Sequence, residues 1–205
     1  MTSPRDRSHD SARERTHRAL LVVDVQPTFC EGGALPVDGG NDVAHAIARF
    51  VAEHRTDYDL VVTTQDWHID PGAHFSDTPD LVDTWPPHGI AGTPEAELHP
   101  ALAAIAPEVS VKKGEYQAAY SGFEGHDAEG RALADLLLDS EITRDDVVGI
   151  AESHCVKATA LDAHALGLAT RVLTDLTVPV TAELGAAARS ELAAAGVHLA
   201  DSSTA

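Results

Sequence analysis

The sequence predicts a three-layer α/β/α domain, a six-stranded parallel sheet covered by helices on both faces. Three observations carry this expectation. Short β-branched runs alternate with helical apolar patterns, as a chain of βαβ units requires. Most of those runs are continuously apolar, as in strands buried on both faces. The 205 residues, 43% of them apolar and 23% charged, suffice for one domain with a sizeable core.

The elements follow in order. The first 18 residues hold five arginines, three acids and almost no apolar side chain, so they are expected to form a disordered tail ahead of a domain over 19–205. Ala19 to Val25 reads as the first strand and is stopped near Pro27. Gly39-Gly40-Asn41 forms a turn with an N-cap. The helix behind it, with Val43, Ile47 and Val51 on one face, reaches about Arg55. Leu60 to Thr64 and Val109 to Val111 are the second and third strands. Arg131 to Asp139 is a helix presenting Leu133, Leu136 and Leu137. Asp146 to Ile150 is the fourth strand, and His154 to Leu166 a helix closed by Gly167. Thr170 to Leu173, a helix over Ala182 to Ala195, and Val197 to Leu199 complete the pattern.

Charge narrows the partners. Thirty-three acids against 14 basic residues give a net charge of −19, which repels nucleic acid and anionic lipid. No apolar run approaches the roughly 20 residues of a bilayer span. No secretory signal is recognised at the start of the chain, and two cysteines, Cys30 and Cys155, are too few for a disulfide scaffold, so a cytoplasmic protein with reduced thiols is expected.

Asp66 to Pro94 breaks the rhythm. This stretch lacks periodicity but carries five of the 11 prolines, both tryptophans and three of the 12 histidines. A loop of this length inside a compact domain usually has a function. Asp66-x-His68 at a strand end puts both side chains on one side, and His74 and His88 follow. Imidazoles with one carboxylate suit Zn²⁺, Fe²⁺ or Mn²⁺. Solvated loop histidines are the alternative.

Cys155 follows the fourth strand at a helix start, where the dipole and free N–H groups lower a thiol pKa and cradle an oxyanion. A packing role is the alternative. Neighbours along a helix do not face one another, so His154 is not its base. In open α/β sheets the site lies beyond the carboxyl ends of the strands, which brings Asp24 forward as base if strands one and four are adjacent. Lys113, after the third strand, is placed to stabilise both carboxylate and thiolate. A turn-capping Asp24 and an exposed Lys113 are the competing readings.

The segments LVVDVQPTFCEGGALPVDGG (21–40), DWHIDPGAHF (66–75), WPPHGIAGTPEAELHP (85–100), KGEYQAAYSGFEG (113–125) and VVGIAESHCV (147–156) occur in an order that resembles the isochorismatase-like cysteine hydrolase family, on its nicotinamidase and pyrazinamidase branch. The resemblance implies strand order 3-2-1-4-5-6 and a triad of Asp24, Lys113 and Cys155. It implies an oxyanion hole from the N–H groups of Ala151 and Cys155, with a cis peptide between Ile150 and Ala151. It implies a divalent ion, Zn, Fe or Mn, on Asp66, His68 and His74 with His88 as a further ligand. Phe29 and Trp85 would clamp a pyridine ring, with Tyr120 and His154 nearby. The expected reaction is hydrolysis of nicotinamide, and of pyrazinamide, to the acid and ammonia through a thioester, feeding NAD salvage. Homo-oligomers are frequent in the family. Hydrolysis of another small amide or imide, and a non-catalytic binding protein, are the rival functions. Ser153 stands where relatives would carry an acid, and Glu115 and Gln117 add bulk near Lys113.

Overall fold

The computed structural model describes residues 16–204. Strands β1 (His17–Val23), β2 (Leu60–Asp66), β3 (Val109–Lys113), β4 (Ile142–Ile150), β5 (Ala169–Val178) and β6 (His198–Ala200) form one sheet in the order β3-β2-β1-β4-β5-β6. Every neighbouring pair is parallel. The fold expectation is met, including the adjacency of β1 and β4.

Side chains along a strand alternate between faces, and the two cores follow that alternation. Leu20, Val22, Val148 and Ile150 pack on one side against Ile47, Phe50 and Val51 of helix α1 (Gly40–His54). Leu21, Val23 and Val147 pack on the other against α2 (Leu133–Asp139), α3 (Lys157–Ala165) and α4 (Ala182–Ala195). Among the described residues, one α-helix serves the first face and three the second. None of these helices is long and apolar enough to cross a membrane.

Several boundaries differ from expectation. β1 starts at His17, inside the expected tail, because His17 pairs with Ile142 and Arg18 with Arg144; residues 1–15 of that tail lie outside the described residues. It stops at Val23 because Asp24 turns to a left-handed φ of 48°. β4 begins at Ile142, not Asp146, its charged segment being carried by partners remote in sequence: Thr170 donates to Asp145, and Arg18, Arg171 and Tyr58 all bond Asp146. β5 runs on to Val178 past a register shift opposite Gly149. Gly149 has φ 126°, and a Cβ there would lie 2.0 Å from the Val23 carbonyl oxygen, so the close approach of β1 and β4 needs glycine. The helix expected from His154 begins as a π-turn over Glu152–Val156 that runs into α3.

Candidate active site

The carboxyl ends of β1, β2 and β3 and the β4–π-turn junction meet at one crevice, the place this topology reserves for ligands. Asp24 follows β1, Lys113 ends β3 and Cys155 lies in the π-turn, and the three side chains converge. Lys113 Nζ stands 3.0 Å from Asp24 Oδ2 and 3.8 Å from Cys155 Sγ. All three are buried, and Lys113 Nζ also donates to the Ala119 carbonyl and to Asp66 Oδ1. Thr64 on β2 donates to Asp24 Oδ1 at 2.6 Å, leaving Oδ2 for the Lys113 side of the crevice.

The electrostatics reverse one expectation. Helix-start placement suggested a lowered Cys155 pKa; burial instead pushes the thiol well up, Lys113 offsets only part of that, and Asp24 and Asp66 add to it. Burial likewise raises Asp24 against the pull of Lys113. Burial alone would depress Lys113, but Asp24 and Asp66 beside it hold its ammonium well above its ordinary value. The site therefore rests with the thiol protonated and the ammonium charged, beside an Asp24 carboxyl made more basic by its burial.

Beside this group His68, His74 and His88 are buried with ligand atoms all within 4.8 Å of one another. Asp66 Oδ2 is 3.6 Å from His68 Nε2 and 3.7 Å from His88 Nε2. Burial works against the charge of Asp66, yet Lys113, His68 and His88 keep it well below its ordinary pKa. His68 donates from Nδ1 to the Gly114 carbonyl and His88 from Nδ1 to that of Pro86, which turns each Nε2 toward Asp66 and the centre of the cluster. His68 Nε2 is buried and has no hydrogen-bond partner. Burial, with His88 and His68 close by, pushes His74 down to about 4, so it is a neutral imidazole at pH 7. A three-nitrogen, one-carboxylate set with an orphaned inward nitrogen fits a divalent ion. The long loop is pinned by bridges between His68 and Ile90 and between Phe75 and Trp85.

Cys155, Asp66, His74 and His88 share a cavity of about 70 Å³ whose walls include Phe29, Trp85, Tyr120 and His154. Trp85 Nε1 donates to the Tyr120 hydroxyl at 3.0 Å, and His154 meets Trp85 edge-on at 5.6 Å between centroids. Phe29 lies 5.6 Å from the His88 ring. Ala151 and Cys155 line the same cavity, and the Ile150–Ala151 peptide is cis. His154 bonds Ser153 Oγ at 2.9 Å rather than serving Cys155. Glu115 and Gln117 are not among the cavity walls.

Four contributors escaped the sequence reading: Thr64, the carbonyls of Gly114 and Pro86, and Gln26. Gln26 accepts from Asp66 N at 2.8 Å and donates to Asp66 O at 3.0 Å, anchoring the strand end that carries the carboxylate. Its place two residues after Asp24 in the first motif was the available signal.

A three-layer α/β domain with thiol, carboxylate and ammonium converging beside a histidine cluster defines a class of small-molecule hydrolase folds. The isochorismatase-domain profile matches residues 18–204, and the chain belongs to the isochorismatase family. It is 53% identical over 186 residues to the nicotinamidase/pyrazinamidase of Mycobacterium tuberculosis, covering 91% of this chain and 100% of that one. The pyrazinamidase of Pyrococcus horikoshii in complex with zinc superposes with a TM-score of 0.78 at 32% identity, covering 90% of this chain and 99% of that one. The L. infantum protein PnC1 in complex with nicotinate gives 0.79 at 33% identity, covering 92% and 94%.

Proposed function

We propose that this chain hydrolyses nicotinamide to nicotinate and ammonia, and pyrazinamide to pyrazinoate, by covalent catalysis at Cys155. The observation that carries the reading is the approach of Lys113 Nζ to Asp24, at 3.0 Å, and to Cys155 Sγ, at 3.8 Å, with Cys155 in the wall of an aromatic cavity beside three buried histidines. The relatives named nicotinamidase or pyrazinamidase and the neighbour holding nicotinate support the substrate class.

Asp24 accepts the Cys155 proton, a transfer made easier by the raised pKa of its carboxyl. The sulfur attacks the amide carbonyl carbon, and the oxyanion is received by the N–H groups of Ala151 and Cys155. Protonated Asp24 gives its proton to the amide nitrogen as the C–N bond breaks, releasing ammonia and leaving a thioester. Asp24 then takes a proton from water; the hydroxyl adds to the thioester carbonyl, the C–S bond breaks, and the acid and thiol are restored. Lys113 holds Asp24 and the developing thiolate in register throughout.

Phe29, Trp85, Tyr120 and His154 bind and orient the ring. Asp66, His68, His74 and His88 would hold a divalent ion, which supplies a Lewis acid for the ring nitrogen. Ammonia release from nicotinamide tests the reading. Cys155→Ala is expected to lose at least about 10³-fold in kcat while retaining the fold and nicotinate binding. Undiminished turnover would reject covalent catalysis at this thiol.

A further inference from the structure

A second cleft lies at the other end of the sheet, where the strands begin. Its volume is about 500 Å³, and Arg18, Arg144, Arg171, His164 and His198 line it together with Asp146. Arg18, Arg144, Arg171 and His198 come from β1, β4, β5 and β6. Register sets them side by side: Arg18 opposite Arg144, and Arg171 opposite both Asp146 and His198. Alternation puts Arg18 on the same face as Leu20, Arg144 on that of Val148, and Arg171 on that of Leu173. These arginines lie on the face served by α1, while His164 of α3 and Gly196 at the end of α4 line the cleft from the opposite layer, so it straddles the amino-terminal edge of the sheet.

The charge balance in the cleft runs against that of the molecule. The chain carries −19, and from Arg18 onward it has seven arginines, three of which line this one cleft. One carboxylate answers them. Asp146 is bound by Arg18 Nη2, by Arg171 Nε at 2.7 Å and Nη2 at 3.0 Å, and by the Tyr58 hydroxyl at 2.6 Å. Its acceptor capacity is largely taken up. Arg55, Arg131 and Arg189 each pair with an acid, whereas Arg144, exposed at the rim, has no ion pair among the described residues. A guanidinium has five N–H donors, so Arg18 and Arg171 keep unspent donors beside those of Arg144. His164 adds a buried Nδ1 with no hydrogen-bond partner, its ring seated against Gly196, where a Cβ would come within 3.1 Å.

We propose that this cleft binds a compact polyanion, a phosphate-bearing or polycarboxylate metabolite, with Arg144 and the free donors of Arg18 and Arg171 as its principal ligands and His198 at the margin. The volume lies in the range of small-molecule sites. No phenyl, phenol or indole ring lines it, which disfavours a stacked nucleobase and favours a small ligand whose affinity is ionic. Low-dielectric walls around a local positive excess focus the field on an approaching anion even in an acidic protein.

Calorimetric titration of the metal-loaded protein at fixed ionic strength, with inorganic phosphate, 3-phosphoglycerate and succinate, tests this. Saturable binding of at least one probe is expected, unaffected by saturating nicotinate. Arg144→Ala should weaken it about tenfold or more, Arg144→Glu should abolish it, and Arg144→Lys should retain part of it. Arg144 is exposed, so the thermal midpoints of these variants should match the parent. Preference for the two phosphate probes identifies the phosphate source, and preference for succinate the carboxylate source. Absence of saturable heat from all three at 10 mM (roughly 3 kcal/mol of binding or less), displacement by nicotinate, or unchanged affinity in Arg144→Glu overturns the proposal.

Discussion

Asp66 bonds Lys113 through Oδ1 while its Oδ2 stands 3.6 Å from His68 Nε2, so one buried carboxylate joins the candidate triad to the candidate metal centre. The two assemblies are therefore electrostatically dependent. The charge that draws a cation to the histidines also helps hold the ammonium at Asp24, and neutralising it disturbs both.

Asp66→Asn is accordingly expected to weaken divalent-metal binding at least tenfold and to lower kcat on nicotinamide about a hundredfold or more. Metal content by elemental analysis and ammonia release measure the two effects. Full metal occupancy with ordinary turnover would show that the sharing is incidental.

Gly114 couples backbone to ligand. With φ 77°, its missing Cβ would lie 2.5 Å from His68 Cε1 and 2.8 Å from Nδ1, while its carbonyl accepts the His68 Nδ1 proton. Gly114→Ala should displace the imidazole and cost about tenfold or more in metal affinity, with activity partly restored by excess metal. Metal titration followed by turnover reads this directly.

How much of this was legible beforehand depended on where the information resides. Alternating apolar runs announced the strands, and Asp66-x-His68 at a strand end announced the histidine cluster, because both are local patterns. Thr64 was hidden because a threonine in a β-branched run looks like any strand residue; only the β1–β2 pairing brings it to Asp24. The start of β4 was hidden because Asp146 finds its partners 88 and 128 residues away, at Tyr58 and Arg18. The thiol misled for the same reason: its position along the chain pointed to a lowered pKa, while its burial, a property of the packed molecule, reversed the sign.

Ser153 offers a test of ring positioning. Its Oγ accepts from Val180 N at 3.3 Å and bonds His154 Nδ1 at 2.9 Å, fixing an imidazole that lines the cavity. Ser153→Ala removes both hydrogen bonds, and loss of the one to His154, worth about 1 kcal/mol, should raise KM for nicotinamide roughly fivefold with kcat within about twofold. Ser153→Asp, able to accept from Nδ1, should return KM toward the parent value. A fall in kcat with unchanged KM would instead assign His154 to the chemical step.

Asp145 should make stability pH-dependent. It is buried, its Oδ1 accepts from Thr170 Oγ1 at 2.7 Å, and its Oδ2 has no partner. Burial pushes its pKa up from 3.8 to about 7, with Asp146 adding to the rise. Between those two values the folded chain holds a proton that the unfolded chain releases. This contribution is therefore full below about pH 4, falls as pH rises, and is gone above about pH 7, a span worth on the order of 4 kcal/mol. Asp145→Asn keeps an acceptor for Thr170 without the titration. Its unfolding free energy should match that of the parent near pH 4 and exceed it by a few kcal/mol at pH 8.5. Denaturant unfolding at the two pH values decides the matter, since equal differences at both would mean that Asp145 stays charged in the folded protein.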